Sequence, residues 1–456
     1  MRSDTDGNRS SRVTSSSFTE QGHHYPQPIS EWHKWAIVWI VCTGSMWVTC
    51  TSSIYTTTYT QMNAELTSTS FISTLGLSSF VLGIALGPLL TGPLSEAYGR
   101  RPMYLISRSL FIVWMIPSVV TIHMALIIVS RLVQGLAGGT FLAVAGGTVR
   151  DLFSPNEIQK PMVIVSCAPF IGPSLGPLVG GFINYYLHWR WTYYVVLIWS
   201  LLLLIAIIVS ALETNSLVKP RNKRAKLDSN LGNERPTAQL GTAPRSTGRL
   251  LVQSLVRPFQ LLFFEPMSFP LVFRTTHGMN FWQIGLTFLG IITGMLMGAA
   301  SNPLWIKIRE RLIQRHQEDG SGEPEYRLPP AILGSILIPA DLFCFGWTIY
   351  PSFHWILPIM GSAVFGCGMV LTFIGIFTFL VDAYPQYAAS ALAANGFARC
   401  SFAAAFPLFG VQMYEKLGYQ WATSLLAFLM VFMMPLPWLF FKHGKMLRKN
   451  SRFGPP

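Results

Sequence analysis

Charge is what this chain has least of. Only 12% of its 456 residues are charged and only 20 are acidic, about half the charged fraction of a soluble domain. The six cysteines, Cys42, Cys50, Cys167, Cys344, Cys367 and Cys400, stand singly inside apolar runs. No CxxC pair occurs, which excludes a zinc ribbon and leaves the thiols as small membrane residues. No phosphate loop, nucleophile elbow or metal-ligand spacing is found, so an enzyme has no support and neither cofactor nor metal is expected. A secretory signal peptide is also missing. Residues 1–34 are polar and Ser-rich and lead straight into an apolar run, the pattern of a disordered cytoplasmic tail.

Apolar length is what the chain has most of. Hydrophobic residues make up 51%, and mean hydropathy is +0.41. Apolar runs lie at 35–55, 71–93, 103–122, 124–146, 161–186 and 193–212, then at 284–306, 329–350, 354–381, 387–413 and 421–441. Each approaches the roughly 20 residues that a bilayer core requires of a helix. The 38 glycines and 30 prolines that interrupt them suit packed membrane helices better than soluble ones. The fold class is therefore an all-α membrane protein, with the lipid bilayer as its first partner.

Basic residues orient the helices. Arg100 and Arg101 follow the second run, and Arg150 and Lys160 follow the fourth. Nine basic residues lie between Lys219 and Arg257, five between Lys307 and Arg327, and five between Lys442 and Arg452. Loops rich in Lys and Arg stay in the cytoplasm, which puts both termini and the central stretch there. The net charge of +13 is then an orientation signal, and no nucleic-acid partner is expected. One feature breaks the count. The basic stretches ending at Arg257 and beginning at Lys307 both read as cytoplasmic, so two crossings must separate them. The only candidate for the first is the stub 261–273, which carries Glu265, Pro266 and Pro270. As a helix it reaches about 20 Å, short of a core of about 30 Å.

Three constellations carry mechanism. The stretch from Gly92 to Pro102, GPLSEAYGRRP, reads as a tight turn in which Gly92 and Gly99 permit unusual backbone angles and Glu96, Arg100 and Arg101 carry both charge signs. A plain basic loop would show the same arginines. Arg131-Leu-Val-Gln134-Gly135 places an arginine inside the fourth run, a costly placement that usually marks function, although a snorkelling arginine gives the same pattern. In the fifth run Gly172, Gly176 and Gly180 recur every four residues beside Pro169, Pro173 and Pro177, with Gly181 following. Small residues at that spacing let helix backbones touch in lipid, and each proline removes a backbone hydrogen bond.

These stretches resemble the major facilitator superfamily over about residues 35–450, and in particular its fungal drug:proton antiporter branch of twelve-helix type. Trp189-Arg190-Trp191, Val381-Asp382-Ala-Tyr384-Pro385 and the segment from Ala389 to Asn395 with Arg399 are similar to the same branch. The resemblance implies two six-helix bundles, with boundaries at 35–213 and 261–441, a cytoplasmic linker at 214–260 and a tail at 442–456. It implies a cytoplasmic latch from Gly92, Glu96, Gly99, Arg100 and Arg101, with Asp151 as the expected partner of Arg100. It implies proton coupling through Arg131, and an antiporter motif of Gly172, Pro173, Gly176, Pro177, Gly180 and Gly181. Asp341, the acid well inside a run, is read either as a proton or cation site or as a group in an aqueous vestibule. Trp47, Tyr55, Gln134, Asn395, Arg399 and Phe402 are cavity candidates. The function implied is export of small amphiphilic molecules (drugs, toxins, secondary metabolites or polyamines) in exchange for protons, by a monomer in the plasma membrane. In such relatives Glu-Pro opens a complete seventh helix. Here about twenty residues are absent, so the alternative is a non-transporting relic or regulatory membrane protein.

Overall fold

The computed structural model describes residues 30–153, 157, 159–230, 273–274, 277–315, 323–350, 353–383 and 388–449, and side chains throughout these except at 93, 96, 97, 159, 211–230, 388–394, 445 and 447–449. Within them the chain is helical, and no strand occurs among the described residues. Helix α1 (Glu31–Ile54) passes through a tight 3-10 turn, Tyr55–Thr58, into α2 (Tyr59–Glu65). Then follow α3 (Ser70–Tyr98), α4 (Arg100–Val120), α5 (Met124–Leu152), α6 (Gln159–Tyr186) and α7 (Arg190–Asn230). The second half holds α8 (Phe281–Ala300), α9 (Asn302–Arg315), α10 (Pro329–Thr348), α11 (Ile356–Ala383), α12 (Ala388–Leu417), α13 (Tyr419–Met433) and α14 (Pro435–Lys449).

Ten helical stretches among the described residues are long and apolar enough to cross a bilayer, and α12 adds a further helix of 30 residues. Their outer faces are apolar. Val113, Ile116 and Val120 on α4 and Leu202, Ile205 and Val209 on α7 are all exposed. A water-soluble protein rarely leaves such stripes uncovered. This is a multi-pass membrane protein.

Packing is driven by small residues, because lipid supplies no hydrophobic force between helices. Helices α3 and α5 touch backbone to backbone through Gly83, Gly87, Gly135 and Gly139. Gly290 and Gly366 do the same for α8 and α11, and Gly334 and Gly375 for α10 and α11. One buried cluster is centred on Val48, Phe80, Phe111 and Phe141, a second on Phe288, Ile338, Phe345 and Phe365. The halves meet where α3 packs on α12 and α6 packs on α8.

The halves share one orientation. Arg100 and Asp151 pair on the face where α4 begins and α5 ends, which defines a basic face. Helix α6 starts on that face and reaches the opposite one at Gly181, where a Cβ would lie 2.6 Å from the Phe281 carbonyl oxygen at the start of α8. The Met279 amide donates to the Phe273 carbonyl at 3.3 Å, and Phe273 is fully buried. The chain therefore stands on the opposite face by Phe273. Of the stub 261–273 only Phe273 is described; 261–272 lie outside the described residues, as do linker residues 231–260 and tail residues 1–29 and 450–456.

Several expected boundaries shift. Gly92–Pro102 is not a loop: α3 runs on to Tyr98, and Gly99 alone, at φ 95° and ψ 161°, turns the chain into α4. That angle requires glycine. Gly92 sits within α3, and a Cβ there would meet nothing within 4 Å. Helix α7 continues to Asn230 into the stretch read as linker, and α14 covers the tail to Lys449. Of the loop at 307–328, Pro324–Arg327 form a 3-10 turn, and the residues up to Arg315 belong to helix α9. Trp305, Ile306, Ile308 and Leu312 alternate there with Lys307, Arg309, Arg311 and Arg315. Such an amphipathic turn pattern lies along an interface, whereas a search for apolar length stops at its first lysine.

Candidate functional site

A cavity of about 120 Å³ opens between the halves. Helix α1 contributes Thr49, Ser52 and Ser53, α3 Leu77, Val81 and Ile84, and α6 Pro169, Phe170 and Pro173. The second half contributes Met369 from α11 and Arg399, Cys400, Ala403, Phe406 and Pro407 from α12. The hydroxyls have spent their protons on their own helix. Thr49 donates to the Met46 carbonyl at 2.9 Å, Ser52 to Thr49 at 2.7 Å and Ser53 to Cys50 at 3.1 Å. What they offer inward is oxygen lone pairs. Arg399 is the charged member of the wall. Its guanidinium lies 5.5 Å from the Phe170 ring centre and 5.7 Å from that of Phe373. Those rings meet edge to face at 4.3 Å across the two halves. The buried Nε has no hydrogen-bond partner, and no carboxylate pairs with Arg399 among the described residues.

Arg131 is placed deeper, at the junction of α1, α3, α5 and α7. It is 1% exposed, donates to the Thr51 carbonyl at 2.9 Å, and stacks 3.8 Å from the Tyr55 ring, with Phe80 and Tyr193 beyond. A snorkelling arginine would reach for water, and this one turns into the bundle. Gln134, one turn further, donates to the Trp114 carbonyl at 2.8 Å and to Ser118 at 3.0 Å.

Of the cavity candidates, Arg399 alone lines this cavity. Tyr55 lies under Arg131, Trp47 packs on Trp199 at 5.0 Å, and Gln134 faces α4. Phe402 is 41% exposed on the outside of α12, whereas Asn395 is buried. Asp341 is 2% exposed, with neither carboxylate oxygen hydrogen-bonded. It abuts Gly361 of α11, where a Cβ would lie 2.6 Å from its Oδ1. It stands in neither a vestibule nor this cavity.

On the basic face Arg100 donates from Nε to Asp151 at 3.2 Å and from its terminal nitrogen to Ser95 at 2.7 Å. Gly147 of α5 makes room: a Cβ there would lie 2.6 Å from the guanidinium carbon. Arg101 is half-buried, and the Glu96 side chain lies outside the described residues. The second half carries a matching arrangement. Arg327, just before α10, donates to Asp382 at the end of α11 at 2.8 Å, with Arg309 of α9 at 3.9 Å. At the opposite face Glu65 accepts from Trp189 Nε1 at 2.6 Å and pairs with Arg190.

The glycine stripe of α6 packs on α1. A Cβ at Gly172 would fall on Thr49 Oγ1 and 2.8 Å from the Cys50 nitrogen. At Gly176 it would fall on Ser53 Oγ and 2.6 Å from the Ile54 nitrogen, and at Gly180 on Thr57. Gly181 turns the other way, to Phe281 of α8, and a Cβ at Gly285 of α8 would lie 3.0 Å from the Pro177 carbonyl oxygen. Helix α6 is thus held from both halves, while Pro169 and Pro173 face the cavity.

Sequence reasoning missed several residues here. Thr49, Ser52 and Ser53 carry no signal beyond a polar cluster in an apolar run. Arg108 did carry one: it stands inside the run 103–122, as Arg131 stands inside its own. It is 1% exposed between the rings of Phe111 and Phe141, and no guanidinium nitrogen has a hydrogen-bond partner.

Two helical halves, facing each other across a shared cavity, are the architecture of a membrane transporter. A family model described as Major Facilitator Superfamily matches residues 41–407. Efflux pump atB of Aspergillus terreus is 46% identical over 394 residues, covering 81% of this chain and 83% of that protein. The probable drug/proton antiporter YHK8 of Saccharomyces cerevisiae is 37% identical, covering 84% and 78%. In fold, the chain is similar to the partially occluded, inward-open xylose transporter XylE from E. coli. That likeness has a TM-score of 0.62 at 14% identity over 90% of this chain and 99% of that one. The chain belongs to the Major Facilitator Superfamily.

Proposed function

We propose that this protein exports small amphiphilic molecules in exchange for protons. The observation that carries the reading is the cavity shared between the halves, apolar on most of its wall and polar at a few points. Its named relatives, an efflux pump and a probable drug/proton antiporter, support it. The bundles 35–213 and 261–441 rock about the cavity, and the segment 214–260 joins them in the cytoplasm. The basic face is cytoplasmic, both termini lie there, and the protein works as a monomer in the plasma membrane. Substrate enters the cavity from the cytoplasm and leaves on the other side, and protonation favours the return.

Arg131 supplies a fixed positive charge at the junction of four helices. A protonation event near it changes the balance of that charge with the Thr51 carbonyl and the Tyr55 ring, and so couples protons to the position of α1. The Arg100–Asp151 and Arg327–Asp382 pairs close the cytoplasmic face in one of the two states.

The test is export read as uptake of substrate into inverted vesicles under an imposed pH gradient, acid inside. Export should follow the gradient and stop with a protonophore, and Arg131→Ala should remove it while membrane delivery persists. Export that ignores the gradient would refute proton coupling. A second reading, a relic or regulatory protein without transport, is favoured by one observation: the sequence before Phe273 is short for a helical crossing.

A further inference from the structure

We propose that the cavity is built for organic anions: flat amphiphiles bearing a carboxylate, whose anionic group sits on Arg399. The proposal rests on the export reading for the direction of movement and on the cavity alone for its chemistry.

The donors and acceptors of the wall are segregated. On the α1 side the hydroxyl protons of Thr49, Ser52 and Ser53 are committed to backbone carbonyls, so that side accepts hydrogen bonds. On the α12 side Arg399 is a donor whose Nε has no hydrogen-bond partner. A partly buried guanidinium without a counterion pays for its lost hydration. An anion recovers that loss by a charge-assisted and, with a carboxylate, two-pronged contact. Leu77, Val81, Ile84, Leu142, Met369 and Phe406 make the remaining wall apolar. Phe170 and Phe373 hold the guanidinium from the side, and Phe170 in the wall adds aromatic surface for a conjugated ring.

The same wall rejects cations. No described lining residue is acidic, so a polyamine or aromatic amine would meet Arg399 with nothing to balance it. Asp341, which a cation would seek, stands on α10 against Gly361 of α11 and is not part of this wall. Specificity then comes from a repulsive element as much as an attractive one.

The experiment uses the full chain purified in detergent and three probes of one shape: 2-naphthoate, its methyl ester and 2-naphthylmethylammonium. Binding is read by quenching of tryptophan fluorescence without any gradient. The carboxylate should bind at least about tenfold tighter than the ester, the scale of one hydrogen bond to a charged group. The ammonium should bind more weakly than the ester. Arg399→Gln should bring the carboxylate to within about twofold of the ester, and Arg399→Lys should keep part of the preference. The wild-type comparison stands even where a variant fails to fold. Ammonium binding as tight as carboxylate binding, or a carboxylate preference that survives Arg399→Gln, would overturn the proposal. The anion preference without export in vesicles would refute the export reading alone. Export of the ammonium probe with no carboxylate preference would refute the anion reading alone.

Discussion

Gly176 offers a direct test of how tightly α6 must hold α1. A Cβ added there would fall on Ser53 Oγ, 2.6 Å from the Ile54 nitrogen and 2.9 Å from the Cys50 carbonyl oxygen. Ser53 can rotate away, but the other two atoms are backbone. Moving from 2.6 Å to the 3.4 Å at which ordinary contact begins needs the helices to part by at least about 0.8 Å. Alanine already demands that shift, and leucine drives three further carbons into the same seam. Overpacking of this kind costs about 1–3 kcal/mol where neighbours can yield, and backbone yields less than side chains. The shift also moves Ser52 and Ser53 in the cavity wall. Thermal unfolding of the detergent-purified protein, followed by fluorescence-detected gel filtration, should give a lowered Tm for Gly176→Ala and a larger loss for Gly176→Leu, and Gly176→Leu should not transport. Gly146→Ala is the control, because its Cβ would meet Met162 at an ordinary 3.7 Å. If Gly176→Leu matched wild type in Tm and in export, the close approach of α6 and α1 would have no mechanical role.

Three further outcomes are expected. Arg131→Lys should transport nearly as poorly as Arg131→Ala, because an ammonium cannot both stack on Tyr55 and reach the Thr51 carbonyl; gradient-driven export of the two variants checks this. Asp151→Asn should change stability by at most about 1 kcal/mol, since the pair with Arg100 is 22% and 41% exposed, yet slow export, and comparing Tm with export rate separates the two effects. Asp341→Asn should raise Tm by removing a buried carboxylate with no hydrogen-bond partner, while gradient-driven export falls; coupling unchanged in this variant would remove Asp341 from the proton path.

Much of the fold was legible because lipid imposes a simple rule. A crossing needs about 20 apolar residues, and runs of that length predict helices where α1 and α3 to α6 lie. What the rule cannot see is a helix that leaves the apolar layer. Helix α9 and the ends of α7 and α14 are polar enough to read as loop, and Gly92–Pro102 reads as a turn because two glycines and two prolines cluster there, although Gly99 alone breaks the helix. The site was less legible. Helical spacing places Gly172, Gly176 and Gly180 on one stripe, and the structure shows that α1 covers it. Cavity membership depends on which face of each helix turns inward. Tyr55, Trp47 and Gln134 have the right chemistry for a cavity wall, but they are turned toward Arg131, Trp199 and α4. Thr49 and Ser53, chemically plainer, are turned inward.

The segment ahead of α8 decides between transport and relic, and the structure sharpens that choice. Arg257 belongs to a basic stretch that the orientation rule holds in the cytoplasm. Phe273 is buried just ahead of α8, on the face opposite the Arg100–Asp151 pair, with its carbonyl accepting from the Met279 amide. The chain must cross between them if α8 to α14 keep the orientation they share with the first half. The stub 261–273 reaches about 20 Å as a helix against a core of about 30 Å. Inverting the second half instead would carry the basic stretches Lys307–Arg327 and Lys442–Arg452 across the membrane, against the same rule. It would also separate Gly181 from Phe281 and break the contact of α6 with α8. Forcing the stub through would bury Glu265 and thin the bilayer around it, at a cost of several kcal/mol. We therefore predict that this chain is expressed less well and exports more slowly than one with a complete crossing. Insertion of about twenty apolar residues after Pro266, enough to complete a crossing, should restore both. The measurements are the surface accessibility of a C-terminal tag and gradient-driven export, each compared between the two chains. If the unmodified chain exports as fast as the lengthened one with its tag in the cytoplasm, the segment crosses as it stands and the relic reading falls.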